Sequence, residues 1–160
     1  TQDPLTGLAN RSHFEALAAH ALARSQRDGS PVTLLLCDAD LFKRINDQYG
    51  HAVGDAVLVA IANVLAANLR DGDVLARWGG EEFLVLLPYC PLEAACATAE
   101  RIRAAIAQAP LDVAQAPIAL TMSFGVTQVR STEDLHTAIA RADKALYQSK
   151  NAGRNQVSVA

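Results

Sequence analysis

Two acidic clusters carry the chemistry this sequence offers: Asp38-Ala39-Asp40 and Gly79-Gly80-Glu81-Glu82-Phe83. The first ends the apolar run Val32 to Cys37, which reads as a central strand buried on both faces. The carboxyl ends of such strands are where α/β proteins commonly place ligands. The second lies between Val74 to Trp78 and Phe83 to Leu87, two runs that read as the strands of a hairpin. A tandem glycine supplies positive φ for a tight turn, and its missing side chains let a large ligand press on the main chain. Side chains alternate along a strand, so Glu81 and Glu82 need not do the same job. Taken alone, the pentapeptide also fits an ordinary solvated turn, and Asp40 suits the cap of a helix starting at Leu41. Asp38 beside Glu81 and Glu82 instead makes an oxygen-rich pocket suited to magnesium, an ion held by one or two carboxylates plus substrate phosphates. Two such ions about 3.5–4 Å apart activate a hydroxyl and steady an in-line displacement at phosphorus. The residues therefore point to metal-dependent phosphoryl transfer.

Elements on either side must position these groups. Ser12 with Glu15 has capping-box spacing, and Phe14, Leu17, Ala21 and Leu22 mark the apolar face of a first helix that ends over Arg27 to Pro31. A short helix is expected from Leu41 to Tyr49, with Gly50 to Asp55 linking it to a longer helix carrying Val57, Leu58, Ile61, Val64, Leu65 and Leu69. Arg70 to Asp73 is a polar turn before the hairpin. Leu92 to Ala109 reads as a helix burying Ala95, Ala99, Ile102 and Ile106, and Pro110 to Pro117 as a loop with some extended structure. Leu120, Met122, Phe124 and Val126 alternate with Thr121, Ser123, Gly125 and Thr127, the pattern of a half-buried strand. Ser131 with Asp134 is expected to cap a last helix whose Leu135, Ile139, Ala142 and Leu146 face inward; Gly153 ends it, and Gln156 to Val159 is a final strand. The order α-β-α-α-β-β-α-β-α-β implies one sheet covered by helices, α+β in class.

The 160 residues fit one domain with a real core. A net charge of −3 gives no electrostatic reason to expect DNA, RNA or an anionic membrane as partner. An anionic ligand must then be held locally, by a few basic groups, helix ends or metal ions. Cys37, Cys90 and Cys96 are an odd count without metal-ligand spacing and read as buried small hydrophobes of a reducing, cytoplasmic compartment. No apolar stretch is long enough to span a bilayer. The chain opens at Thr1-Gln2 without methionine, and the expectation is a single domain, residues 1–160, cut from a longer protein whose other part carries regulation or a membrane anchor.

Asp38-x-Asp40-x-Phe42-Lys43-x-x-Asn46-Asp47-x-x-Gly50-His51-x-x-Gly54-Asp55, followed by Arg77-Trp78-Gly79-Gly80-Glu81-Glu82-Phe83, closely resembles the GGDEF family of diguanylate cyclases. Asp3-Pro4-Leu5-Thr6-Gly7-Leu8-x-Asn10-Arg11 matches that family's start, and Arg141-Ala142-Asp143 through Tyr147, Lys150 and Gly153-Arg154-Asn155 its end. The resemblance covers essentially the whole chain. It implies a central, mostly antiparallel sheet of about five strands, palm-like or ferredoxin-like as in class III nucleotidyl cyclases. It implies condensation of two GTP into cyclic di-GMP with loss of two pyrophosphates.

Carried over position by position, the resemblance makes Asp38 and Glu81 ligands of magnesium, two ions per active half-site with manganese as an alternative, assisted by the Ala39 carbonyl and Glu82. Glu81 is also the expected base for the 3′-hydroxyl. Asn46 and Asp55 would read the guanine, whose adjacent N1–H and amine donors suit a carboxylate. Lys43, grouped with Glu81 at the reacting centre, Lys150 and Arg154 would neutralise the triphosphate. Phe42 packs beneath the nucleotide, and Gly79 and Gly80 lie against it. Arg70 and Asp73, with Arg101 on the following helix, match the family's inhibitory site for its product cyclic di-GMP. Trp78 reads as packing, and His51 as a turn residue. Each domain holds one GTP, so the family reaction needs a homodimer. The alternative is a catalytically silent module that senses GTP or cyclic di-GMP; such proteins usually show a damaged hairpin turn or lack the metal aspartate, and neither is damaged here.

Overall fold

The computed structural model describes residues 1–113 and 116–160. Helix α1 (Arg11–Asp28) leads into β1 (Val32–Ala39), then α2 (Phe42–Tyr49) and α3 (His51–Ala67), β2 (Val74–Arg77) and β3 (Glu82–Pro88), and α4 (Leu92–Gln108). A small hairpin of β4 (Leu111–Val113) and β5 (Ala116–Ile118) precedes β6 (Met122–Gln128), α5 (Leu135–Asn151) and β7 (Val157–Val159). Among the described residues, five strands form one sheet in the order β2-β3-β1-β6-β7. All neighbours are antiparallel except β6 with β7. The expected mostly antiparallel α+β sheet is the one that forms.

Every residue of β1 is buried because helices cover both faces. Leu35, Cys37 and Ala39 pack into one apolar cluster with α2, α3 and α4, while Val32, Leu34 and Leu36 pack into a second with α1 and α5. Strand β6 departs from its expected half-buried character, since its polar face is buried too. Ser123, Gly125 and Thr127 are small enough for α5 to lie directly on them. At Gly125 any Cβ would collide with the backbone of Ala142 and Leu146, so only glycine permits this approach. Ser149 in α5 ties the contact by donating to the Phe124 carbonyl at 2.7 Å.

Helices α1 and α5 are each capped by the residue immediately before them. Asn10, not Ser12, caps α1 by accepting from the His13 N–H at 3.0 Å, and Asp134, not Ser131, caps α5 by accepting from Thr137 at 2.8 Å. Phe14, Ala18 and Ala21 form the buried stripe of α1, leaving Leu17 38% exposed. The expected link of residues 50–55 is helical: α3 starts at His51, and Gly50 alone separates it from α2. That helix stops before Leu69, where Asn68 donates its side-chain amide to the Val64 carbonyl at 2.8 Å. The expected loop of residues 110–117 contains β4 and β5; its residues 114 and 115 lie outside those described.

Replacing Gly125 with alanine forces α5 off the sheet, an overpacking expected to destabilise the domain by about 1–3 kcal/mol. Urea denaturation should show a lower midpoint for Gly125→Ala and almost none of this loss for Gly72→Ala, where a Cβ meets nothing within 4 Å. Equal midpoints for the two variants would contradict the packing account.

Candidate active site

Asp38 sits at the end of β1, paired in register with Glu82 on one side and Ser123 on the other, and is 7% exposed. The N–H of Ala39 donates to the Glu81 carbonyl at 3.3 Å, which fixes the hairpin turn against the strand end. Lys150, in the last turn of α5, donates to Asp38 Oδ2 at 2.7 Å. Burial pushes the Asp38 carboxyl above the usual range, and Asp40 adds to this; the hydrogen bond and charge of Lys150 oppose the rise without cancelling it. Burial and then the Asp38 charge raise Glu81, and the same two causes followed by Asp143 raise Glu82. Burial draws Lys150 down, but its bond to Asp38 and the charges of Asp38, Glu82 and Glu81 leave it raised. Lys150 is thus ion-paired with Asp38, and the charges of Glu82 and Glu81 also act on its ammonium.

Asp40 does not cap α2. The residue before that helix is Leu41, in a left-handed conformation (φ 56°) with no side-chain cap. Asp40 turns inward instead, accepting from the hydroxyls of Thr121 and Ser123, both at 2.6 Å, and from the Asn155 N–H at 3.0 Å.

The hairpin turn is held by side chains that belong to the quoted motifs but for which the sequence indicates no partner. Arg77 donates to the Gly80 carbonyl at 3.1 and 2.7 Å and to the Asp3 carboxylate at 3.2 and 3.4 Å. Arg11 donates to the Trp78 carbonyl at 2.9 Å and lies over the Trp78 ring at 4.4 Å, and Phe14 meets that ring edge-on. Trp78 is thereby the packing residue it was expected to be. Neither Gly79 nor Gly80 has positive φ, so the expected backbone reason for the tandem glycine is corrected. A Cβ at Gly79 would come within 2.8 Å of Glu82 Oε1, the flexible end of that side chain. Glu82 also borders a cavity with Arg11, His136 and Asp143, on the α1 and α5 side of the sheet.

Phe42 is buried beneath α2 and α3, and Asn46 is half-buried. Gly54 makes the junction between these helices possible: any Cβ there would overlap the Asn46 amide and press on the Phe42 ring. Asn46 therefore lies directly against the residue preceding Asp55, which is exposed on α3. Lys43 is 88% exposed and donates to Asp47 at 2.8 Å, away from the acidic cluster. Arg154 is exposed beyond α5, and its charge lowers Asp38, the smallest of the influences on that group.

Arg70 and Asp73 come together in a groove at the other end of the hairpin. The Arg70 N–H donates to Asp73 at 2.8 Å and its guanidinium to the Pro88 carbonyl at 2.9 Å. Arg101 is turned to the end of α3, donating to Asn68 at 3.1 and 2.9 Å, and does not line this groove. Arg24 and Tyr89 line it instead, with the guanidinium 4.6 Å above the ring. These two lie far apart in the chain, and no spacing pattern links them to Arg70.

Among the described residues, no three carboxylate, histidine or cysteine side chains already converge as a metal cage. The donor set nevertheless fits a hard divalent cation, which takes carboxylate oxygens and completes its shell with water and phosphate. Lys150 on Asp38 marks where positive charge is favoured. Among the described residues no helix is long and apolar enough to cross a membrane. Cys37, Cys90 and Cys96 are free thiols, the first two buried.

The family described as "Diguanylate cyclase, GGDEF domain" matches residues 1–156. Diguanylate cyclase DgcP of Pseudomonas aeruginosa is 47% identical over 158 residues, covering 99% of this chain and 24% of the relative. Diguanylate cyclase DgcM of Escherichia coli is 42% identical, covering 99% of this chain and 38% of the relative. The chain thus spans well under half the length of these curated relatives. The GGDEF domain of DgcB from Caulobacter crescentus, solved in complex with cyclic di-GMP, superposes with a TM-score of 0.94 at 35% identity, covering 99% of this chain and 92% of that one. The active GGEEF domain of a diguanylate cyclase from Vibrio cholerae gives a TM-score of 0.88 at 34% identity, covering 95% and 97%. Sheet order, strand-end carboxylates and near-complete coverage converge on one assignment: the chain belongs to the GGDEF-domain family of diguanylate cyclases.

Proposed function

We propose that this domain condenses two GTP into cyclic di-GMP and two pyrophosphates. The observation that carries the reading is the strand register that sets Asp38 opposite Glu82, with Glu81 beside it in the turn and Lys150 bonded to Asp38. Such a site favours added positive charge beside a phosphate-bearing substrate. Asp38 and Glu81 are the proposed ligands of magnesium or manganese, two ions per half-site, with the Ala39 carbonyl and Glu82 assisting. When bound, the cation lowers the pKa of the attacking hydroxyl and offsets charge at the α-phosphate.

The rest is done by the chain's own side chains. Asn46 and Asp55 hold the guanine edge over Phe42, and a site built on such hydrogen bonds discriminates by up to about 10⁴–10⁵-fold. Lys150 exchanges Asp38 for phosphate oxygens, joined by Arg154 and by Lys43 once it leaves its exposed partner Asp47. The bare backbone at Gly79 and Gly80 admits the phosphates. The 3′-oxygen of one GTP attacks the α-phosphorus of the other, pyrophosphate leaves as its bond to that phosphorus breaks, and Glu81 takes the hydroxyl proton. Repeating the step with roles exchanged closes the ring, which requires two domains face to face as a homodimer. Positioning of that kind supplies up to about 7–11 kcal/mol. Arg70 and Asp73 are proposed to bind the product's guanine, arginine at O6 and N7 and aspartate at the amine edge, with Arg101 joining after it releases Asn68.

Concentrated protein fused to a dimerising coiled coil, incubated with GTP and magnesium, should yield cyclic di-GMP by chromatography. Glu81→Ala should lower the rate by at least about 10²-fold. No product from a forced dimer that binds GTP would favour the silent sensor.

The raised carboxyls also set a pH dependence. Without metal the folded state holds protons that the unfolded chain has released, so stability falls as pH rises from the ordinary carboxylate range through the raised values. Magnesium should therefore raise Tm more on the alkaline side of that window than on the acid side, and the difference should vanish in Asp38→Asn. A magnesium shift independent of pH would contradict the metal assignment.

Calorimetry should show Arg70→Ala weakening cyclic di-GMP binding by about 1–3 kcal/mol. Equal affinities would remove the inhibitory site.

A further inference from the structure

The segment that follows α5 holds an unusual backbone. Gly153, Arg154 and Asn155 all have positive φ, 118°, 63° and 48°, and Arg154 carries a side chain that disfavours it. Residues persist in such conformations only where their surroundings over-determine them, and they concentrate at ligand sites. Here the surroundings are specific. The Arg154 N–H donates to the Ser149 carbonyl at 2.9 Å, and the Arg154 carbonyl accepts from the Gln156 amide at 2.9 Å. The Asn155 side chain accepts from Arg103 at 2.7 Å, and its N–H donates to Asp40 Oδ2 at 3.0 Å.

Asp40 is the one partner in that set that is both charged and buried, at 6% exposure. Thr121 and Ser123 donate their hydroxyls to its two oxygens, fixing both carboxylate lone-pair directions from β6 and the residue before it. A buried carboxylate held in this way is a strong and immobile acceptor for a main-chain N–H. It stands two residues from Asp38 in the same strand end, so the loop bearing Arg154 is registered to the same piece of backbone as the acidic cluster.

We propose that Asp40 is a positioning residue for triphosphate recognition: it locks the left-handed turn 153–155 and so aims Arg154 at the phosphates. This rests on the cyclase reading above. Asp40 touches neither nucleotide nor metal in this account. It acts through the loop, and its effect falls on ligands with β- and γ-phosphates, while guanine recognition by Asn46 and Asp55, on other elements, is untouched.

The test uses the whole domain and no turnover. Calorimetry with GTP and with GMP, each with magnesium, gives the affinity ratio, and hydrogen exchange of the ligand-free protein follows the amides of residues 153–156. In Asp40→Ala the ratio of GTP to GMP affinity should fall about tenfold or more, with the loop amides exchanging faster while β6 stays protected. Asp40→Asn keeps an acceptor for the Asn155 N–H and should recover most of both; it also serves where the alanine variant fails to fold, since a smaller loss in the same direction is expected there. Adding Arg154→Ala to Asp40→Ala should lower the ratio little further. Additive losses, unchanged loop exchange, or equal loss of GTP and GMP binding would each overturn the proposal. A wild-type domain that binds no guanine nucleotide would bring down the cyclase reading and this one with it. One that favours GTP over GMP, with an Asp40→Ala ratio unchanged, would sink only the role of Asp40.

Discussion

Negative charge concentrated at the end of a doubly buried strand is the constraint around which this molecule is built. β1 has helices on both faces, so Asp38 and Asp40 leave the sheet where little water reaches them. Unpaired carboxylates in such a place are costly. The fold answers the two differently. Asp40 is saturated by hydroxyls and a main-chain N–H, all of them fixed parts of the scaffold. Asp38 receives the ammonium of Lys150, while Glu81 and Glu82 of the hairpin add negative charge near it. One aspartate is satisfied by fixed donors; its neighbour two positions away has a lysine ammonium as its side-chain partner.

That contrast depends on register. Pairing of Asp38 with Glu82 brings the hairpin's acids to the strand end, and a slip of one residue would send them to the opposite face. The register is reinforced by Arg77, at the end of β2, and by Arg11, which grip the carbonyls of the turn, and by Asp3, which holds Arg77. Ala9 adds a bridge to the edge strand at Ala76. The first eleven residues therefore belong to the site as much as the hairpin does.

Much of this could be read from the sequence, for physical reasons that also explain the failures. β1, the hairpin and the helices have long apolar patterns whose period survives folding. The strand-end placement of Asp38 beside the hairpin acids was legible, and register sets Asp38 opposite Glu82; the bond of Lys150 to Asp38 was not, since the resemblance relates Lys150 only to phosphate. The polar face of β6 was misread because Ser123, Gly125 and Thr127 look solvent-facing in sequence, although their small size is what admits α5. The role of Asp40 was hidden because its partners lie 81, 83 and 115 residues away. Arg24 beside Tyr89, and Asp3 beside Arg77, were hidden in the same way. Lys43 and Arg101 show the reverse, since motif matching names them while the resting structure holds each on a neighbour, Asp47 and Asn68.

The two apolar clusters on opposite sides of the sheet divide the site between them. Phe42 and Ile45, beneath Asn46, belong to one; Phe14, Trp78 and Leu146, which seat the hairpin and the helix of Lys150, belong to the other. The sheet between them is a partition. On the proposed reading, a cavity opened under α2 would loosen the hold of Asn46 on the base, and one opened under α1 or α5 would disturb the acidic cluster. Inherited core variation in this domain would thus surface as two distinct kinds of fault, recognition without reactivity or reactivity without recognition, according to the side of the partition on which it fell.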